Sequence, residues 1–487
     1  MALLAALLLL AVTGGFAAYA VFMLPDVDPW HTIDLDDEFT ASDERGLDFA
    51  GYQAIEQKLF DAERAAVARM PTDAPYYAGS RYDPRGPALR LAPGQPHNHS
   101  SRRTPSTVRG AALLIHGLSD SPYSMHAIAD VLFAHGFEVT VLRLPGHGTL
   151  PSGMVHMDYE DWAAAMRVAA RDISARLPRD LPFYIGGYST GGALALTYAL
   201  DRLEPGADTT LRPPTRVLLF SAAIELVPAA ALTRVLDIFA KLPFDTFQKV
   251  NWQSIGPEYD PYKFSSFPVN ASRQVFHATR RLQRSLLDVE QSGRLGQLAS
   301  VTAFQSAVDS TVGTHGLAEL VFARLKGRQH RLVLFDVNRH QRYDLVRRPG
   351  STTLVRGVTS GMVAGTRQHM LTLVTNRDPS TDEVELREYA PGQPTPVVTA
   401  PGLAWLPSLV SIGHVSLPFP PDDPIYGYLP GSGANGVPAL GSWALRGEEG
   451  AIVLPLGALA RLRANPFWPV ISQELEGMAV ADTTPRP

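Results

Sequence analysis

The sequence predicts an α/β fold, a mostly parallel sheet with helices on both faces, and three observations predict it. From residue 109 onward, short apolar runs alternate with helical patterns. Those runs, such as 111–115 and 183–188, are apolar almost throughout instead of on every second residue, as strands covered on both faces require. Finally, Gly187-Tyr188-Ser189-Thr190-Gly191 joins one apolar run to a small-residue helical stretch, the form of a sharp strand-to-helix turn.

Before the alternation starts, 53–70 reads as an amphipathic helix and 95–108 as a polar loop. Residues 111–115 then form the first buried strand, 121–134 a helix that Gly136 closes, and 138–142 the next strand. A helix follows at 159–177, with Asp158 placed to cap its amino end and Pro178 just past its carboxyl end. Strand 183–188, helix 190–202 and strand 216–220 complete the first run.

The rhythm breaks at 221–294, where Leu232, Val235, Leu236, Phe239 and Leu242 share one helical face. Such a face is either ordinary core or a cap. Its place after the strand beside the serine turn would bring it to the carboxyl edge of the sheet, so a helical cap insertion is expected. Sheet rhythm resumes with 301–307, a helix at 315–324 and a strand at 332–337. The expected organisation is an amino-terminal segment 1–24, an extension 25–108, core 109–220, cap 221–294, core 295–338, an irregular insertion 339–406 with one strand at 370–375, and a closing core portion 407–487 with a terminal helix.

Composition narrows the function. A 487-residue chain can bury a large core, and its net charge of -5 lacks the basic excess that non-specific nucleic-acid binding needs. Cysteine is absent, which rules out disulfides, thiolate metal sites and a cysteine nucleophile. Residues 1–24 contain no Asp, Glu, Lys, Arg or His. As a helix they would run about 36 Å, against roughly 30 Å of bilayer hydrocarbon, so an N-terminal membrane-anchor helix is expected. The rival reading is a secretory signal removed after Ala18-Tyr19-Ala20, leaving a secreted domain. The first charges, Asp26 and Asp28, precede the first basic residue, Arg45, which favours an extracytoplasmic or periplasmic domain.

A serine hydroxyl is a poor nucleophile at neutral pH, so an enzyme that uses one must hold it exposed beside a base. The turn around Ser189 does so, and flanking glycines let the backbone cross itself. It also leaves the Thr190 amide at a helix amino terminus, where it can donate to a developing oxyanion. His116-Gly117-Leu118, ending strand 111–115, supplies a second donor at Leu118; each is worth about 3 kcal/mol of transition-state stabilisation.

The run Leu114-Ile115-His116-Gly117-Leu118-Ser119-Asp120-Ser121-Pro122, the turn Leu144-Pro145-Gly146-His147-Gly148 and the serine turn together resemble α/β-hydrolases of the monoacylglycerol-lipase and serine-aminopeptidase-like group. The resemblance extends from about residue 109 to 309. It implies the α/β-hydrolase fold, and a role for His147 in shaping the mouth of the site, not in catalysis.

The acid of a catalytic triad should follow a late strand, in the chain order Ser, Asp or Glu, His. Asp309 meets that description, whereas Asp336 lies inside an apolar strand. Two histidines contend for the base. His340 has the expected connectivity but stands in the basic run Asn338-Arg339-His340-Gln341-Arg342, whose arginines would depress its proton affinity. His414 ends an apolar run and enters a proline-rich turn; the stretch 416–424 is similar to tails of some bacterial members of the group, which carry their histidine here. The expected site is Ser189, Asp309 and His414, with Leu118 and Thr190 as oxyanion donors. No cofactor or metal is expected, since neither a His-Glu-x-x-His motif nor a suitably placed Gly-rich phosphate loop occurs.

The leading functional expectation is hydrolysis of a small-molecule or lipid acyl ester, as a lipase, lysophospholipase or esterase. The rivals are an amidase or serine-aminopeptidase-like hydrolase, and a catalytically inactive, membrane-tethered binding protein on the same fold.

Overall fold

The computed structural model describes residues 25–225, 249–443 and 461–484, with Gly15. The anchor expected at 1–24 and the apolar face from Leu232 to Leu242 lie outside the described residues. Among those residues no helix is long and apolar enough to cross a membrane.

The apolar runs become strands because they are covered on both sides. After the edge strand β1 (Ser101–Arg103) come β2 (Gly110–Ile115), β3 (Phe137–Leu142), β4 (Phe183–Tyr188) and β5 (Arg216–Phe220). Residues of β2, β3 and β4 are buried without exception. β6 (Ser300–Ser306) and β7 (Gly327–Phe335) continue the sheet, and β8 (His369–Asn376), β9 (Val384–Tyr389) and β10 (Val397–Thr399) extend it. The order across the sheet is β1-β3-β2-β4-β5-β6-β7-β8-β9-β10. From β3 to β8 every neighbouring pair is parallel; β1, β9 and β10 pair antiparallel at the two edges.

Seven helices matter to the argument. They are α1 (Phe49–Val67), α2 (His126–Ala134), α3 (Tyr159–Arg176), α4 (Thr190–Asp201), α5 (Val269–Gln291), α6 (Thr353–Val363) and α7 (Trp468–Thr483). On one face, Trp162 and Ile173 of α3, Leu196 and Leu200 of α4, and Leu282 and Leu286 of α5 pack with Leu113, Ile185 and Leu219 of the sheet. On the other, Ile128 and Leu132 of α2 and Ile471 and Leu475 of α7 pack with Leu114, Tyr184 and Leu218. α3 starts where Asp158 and Asp161 form a reciprocal cap, the Asp158 amide donating to the Asp161 carboxylate at 2.8 Å.

Three stretches differ from the expectation. The polar run 95–108 contains β1, a three-residue edge strand whose Ser-Arg-Arg sequence shows no apolar alternation. Within 339–406 the chain does not simply wander: α6 crosses over to β8, parallel to β7, and the β9 and β10 ladder completes the sheet. The stretch 221–294 also divides. α5 lies against α4 in the layer that covers the sheet, while 249–268 crosses the carboxyl edge, where the Phe264 amide donates to the Ser119 carbonyl at 2.8 Å.

The extension 25–108 is fastened to the core through a buried guanidinium. Arg143, fully buried just after β3, donates to Glu56 of α1 at 3.0 Å and to Glu38 at 2.7 Å. The Tyr52 hydroxyl of α1 donates to the Arg143 carbonyl at 2.8 Å. A buried guanidinium must be paired, and this pairing locks α1 over the turn 144–148.

Candidate active site

The sheet order dictates where a site can form. The chain leaves β2 toward β3 on one side and returns to β4 on the other, so the carboxyl ends of β2 and β4 bound a crevice at a topological switch point. Ser189 directly follows β4 there. Its backbone is held at φ 53° and ψ -116°, a conformation a β-carbon disfavours and only surrounding structure can enforce. Enforcement comes from β5: the Ser189 amide donates to the Phe220 carbonyl at 2.9 Å, and the Ala223 amide donates to the Ser189 carbonyl at 3.0 Å.

Glycine is required on either side of the serine by close approach. A β-carbon on Gly187 would stand 2.2 Å from the Gly191 carbonyl carbon, and one on Gly191 would stand 2.1 Å from the Ile115 carbonyl oxygen. The second contact matters for chemistry, because it presses the start of α4 against the end of β2. The expected oxyanion donors, Leu118 and Thr190, therefore sit on two segments in direct backbone contact. Thr190 opens α4, so its amide is one of the first-turn N–H groups that a helix leaves without an internal partner.

Asp309 and His414 meet although 105 residues separate them: His414 Nδ1 lies 2.8 Å from Asp309 Oδ2. Asp309 follows β6, and its other oxygen accepts from the amides of Thr311 at 2.8 Å and Val312 at 3.1 Å. Burial pushes the Asp309 carboxyl upward, but His414 and these amides outweigh burial and hold it below the usual carboxylate range. With Nδ1 engaged by the carboxylate, Nε2 is the imidazole's remaining nitrogen. His414 starts a single helical turn after Gly413, and its run is pinned where the Ser306 hydroxyl donates to the Ile412 carbonyl at 2.9 Å. Beside it, the Tyr188 ring lies 5.0 Å from the imidazole, and the Tyr188 hydroxyl donates to the His414 carbonyl at 3.2 Å. Ser189 is the next residue after that ring.

The other candidates fall elsewhere. His340 accepts from the Arg342 amide at 3.2 Å and stands by Tyr343, with no contact to Asp309. Asp336 is fully buried and accepts from Thr375 at 2.8 Å and from Arg339. His147 is buried, with Nδ1 3.0 Å from the Pro145 carbonyl, and burial drives its imidazole down to about 4. His116 is likewise buried and lowered, and its Nε2 accepts from the Leu144 amide at 2.9 Å. It ties the 116–118 turn to the 144–148 turn.

A cavity of about 950 Å³ opens beside this arrangement, lined by Tyr188, Val415, Asp120, Phe264 and Phe419 among others. Two ion pairs face it: Lys263 with Asp120 at 2.9 Å and Arg463 with Asp260 at 3.3 Å, and Asp28 and Arg461 line it as well. Behind it, buried Asp423 accepts from the Tyr123 hydroxyl at 2.9 Å and from the Ile425 and Tyr426 amides at 2.8 Å. These bonds hold the proline-rich turn that follows His414 against the segment after β2. Sequence reasoning missed Tyr188, Lys263 and Asp423; the Pro-Pro-Asp-Asp-Pro turn carried a signal for Asp423, since a turn carboxylate commonly accepts from amides just downstream.

Residues 106–341 match the model of a family described as serine aminopeptidase, S33. A thermostable monoacylglycerol lipase from Bacillus sp. (strain H-257) is 32% identical over 87 residues, 18% of this chain and 34% of that protein. The chain thus matches about a third of the length of this curated relative. Among solved structures, a metagenome-derived lipolytic enzyme is 22% identical, covering 50% of this chain and 89% of that one with a TM-score of 0.39. The Paleococcus ferrophilus monoacylglycerol lipase is 21% identical, covering 49% and 88% with a TM-score of 0.36. With the family match over residues 106–341 laid on its serine turn and switch-point sheet, this part of the chain has the α/β-hydrolase fold and is similar to the monoacylglycerol-lipase and serine-aminopeptidase-like group.

Proposed function

We propose that this chain is a serine hydrolase that cleaves carboxylic esters through Ser189, Asp309 and His414. The reading is carried by one observation, the 2.8 Å contact between His414 Nδ1 and Asp309 Oδ2 beside a serine held in a strained turn. In the reaction, His414 Nε2 takes the Ser189 proton as Oγ attacks the acyl carbonyl. The amides of Leu118 and Thr190 stabilise the tetrahedral oxyanion. Collapse breaks the bond to the leaving alcohol, which receives the proton from His414, and an acyl-enzyme remains. Water, deprotonated by His414, attacks that acyl group, and release of the carboxylic acid returns the proton to Ser189. Asp309 stays ionised and fixes the imidazole tautomer throughout.

The family description favours a second reading, an aminopeptidase-like amidase. A free substrate amine would need an unpaired carboxylate in the cavity. Asp120 and Asp260 are engaged by Lys263 and Arg463, whereas among the described residues no cation pairs with Asp28 at the same cavity, so the amide reading stands as an alternative that the substrate comparison decides. We also propose that residues 1–24 anchor the chain with its hydrolase domain extracytoplasmic, and that part of 221–268 serves as the cap.

A serine-reactive fluorophosphonate tests the active-serine reading against an inactive binding protein, since Ser189→Ala should abolish labelling. Comparing kcat/KM for acyl esters with that for aminoacyl amides of the same leaving group then tests ester against amide. A preference for the amide would overturn the ester assignment.

A further inference from the structure

We infer that the mouth of the catalytic cavity is held against a lipid bilayer by the amino-terminal stretch of this same chain, so that ester substrates enter from the bilayer and not from bulk water. The inference rests on the ester-hydrolase reading and on anchoring by residues 1–24. Its new content is geometric. Pro25, Asp26 and Asp28 line the cavity that Tyr188, Val415 and Phe419 also line. The point where the uncharged stretch joins the folded domain therefore lies at a cavity that Tyr188 and Val415, the chain neighbours of Ser189 and His414, also line.

That junction cannot drift away from the domain. Pro29–His31 forms a helical turn whose Trp30 is 1% exposed, with its ring 5.5 Å from Tyr76 and 5.2 Å from Tyr82. The His31 Nε2 lies 2.8 Å from the Ser266 hydroxyl, and the Ser152 amide donates to the Trp30 carbonyl at 3.3 Å. Asp26 pairs with Lys249 at 2.8 Å. Four residue steps separate Asp28 from Leu24, which at full extension reach no more than about 14 Å. A bilayer that holds 1–24 therefore lies within about 14 Å of the cavity.

The lining suits that position. It carries both kinds of surface, the charges of Lys263, Arg463 and Asp28 and the apolar rings of Phe264, Phe419 and Tyr188, as a site at the boundary of headgroups and acyl chains requires. An ester with a polar head and a single long acyl chain matches this mixed lining. Because the tether also orients the mouth, it acts on delivery of substrate and leaves the chemical step alone.

The test uses the full chain in phosphatidylcholine vesicles. One substrate is 4-methylumbelliferyl oleate dissolved in the bilayer; the other is 4-methylumbelliferyl acetate in water, which has the same leaving group. A rigid (EAAAK)4 spacer between Leu24 and Pro25 adds about 30 Å. It should lower oleate hydrolysis at least tenfold and leave acetate hydrolysis within twofold. A Gly/Ser insertion of equal length, which lets the domain fold back to the surface, should retain most of the oleate rate. Undiminished oleate hydrolysis with the rigid spacer overturns the inference, as does a wild-type chain that fails to sediment with vesicles. A wild-type chain that cleaves acetate but not bilayer oleate overturns this inference alone. One that cleaves neither overturns the ester-hydrolase reading and this inference with it.

Discussion

The Asn338 amide donates to the Val410 carbonyl at 2.7 Å, so the chain comes back to the point it left just after β7. The Asn338 side chain repeats the tie, donating to the Leu409 carbonyl at 3.0 Å. Between these residues the backbone builds α6, β8, β9 and β10 and widens the sheet. Closing the excursion at its own base is what lets a histidine so late in the chain reach Asp309. His340, which leaves β7 first, is turned away toward Tyr343.

This geometry gives the two histidines different places in the proposed mechanism. His414→Ala should reduce ester turnover by about 10⁴ to 10⁶, because a triad member acts only with its partners. His340→Ala should stay within twofold of wild type. Single-turnover rates with a chromogenic ester provide the comparison, and a reversed pattern would remove His414 from the mechanism.

Much of this was legible beforehand, and the reasons are local. Strands β2 to β5 announce themselves as short apolar runs, and the Gly187–Gly191 pattern reports a backbone crossing that few other sequences permit. The place of Asp309 after a late strand, where it meets His414, could be anticipated because it is a matter of chain order. Region 339–406 was less readable. β9 carries Glu385, Arg387 and Glu388 near the sheet edge, so its alternation is masked, and α6 holds Gly357, Gly361 and several β-branched residues with poor helix propensity. The pairings of Lys263 with Asp120 and of Tyr123 with Asp423 join distant segments, and no local pattern encodes them.

Asp309→Asn keeps the shape but removes the acceptor that fixes the imidazole tautomer. Turnover should fall by about 10⁴ with the fold intact. Since His414 and two amides hold the Asp309 carboxyl below its ordinary range against the effect of burial, it stays charged well into acid. The pH–rate profile of the wild type should show no break from this carboxylate above the ordinary carboxylate range. Stopped-flow assays from pH 4 to 9 would reveal one.

Gly191→Ala should be far worse than its size suggests. The added methyl carbon would lie 2.1 Å from one backbone oxygen and 2.6 Å from another, at Ile115 and His116, and neither is a side chain able to swing aside. The backbone must move, at a cost of about 3 kcal/mol or more. Chemical denaturation should show this loss, and surviving folded protein should label poorly with a fluorophosphonate because the two oxyanion segments are forced apart.

Arg143→Met tests how the amino-terminal extension is held. The substitution keeps much of the volume but leaves the Glu38 and Glu56 carboxylates facing each other with no cation. Breaking a buried pair in this way typically costs about 3–5 kcal/mol. Limited proteolysis should then release the 25–108 region before the core, and an unchanged cleavage pattern would argue that α1 is held by apolar packing alone.

The His126–Asp423 contact should make stability depend on pH in an unusual direction. His126 Nε2 lies 3.2 Å from Asp423 Oδ2, and its Nδ1 lies 2.6 Å from the Tyr123 carbonyl. Burial alone would lower this imidazole, but Asp423, the Tyr123 carbonyl and nearby Asp130 outweigh it and raise the group above its ordinary value. His97, whose ring is 6.3 Å away, is lowered by burial and by His126 itself, so it adds little opposing charge. A raised folded-state value means that the contact contributes fully below the ordinary imidazole range and fades as pH climbs through the raised value. The melting temperature of the wild type should therefore fall from pH 6 toward pH 9. Asp423→Asn should start lower and lose that slope, since a neutral amide gives the imidazolium no partner. A variant that kept the wild-type slope would assign the pH dependence to another group.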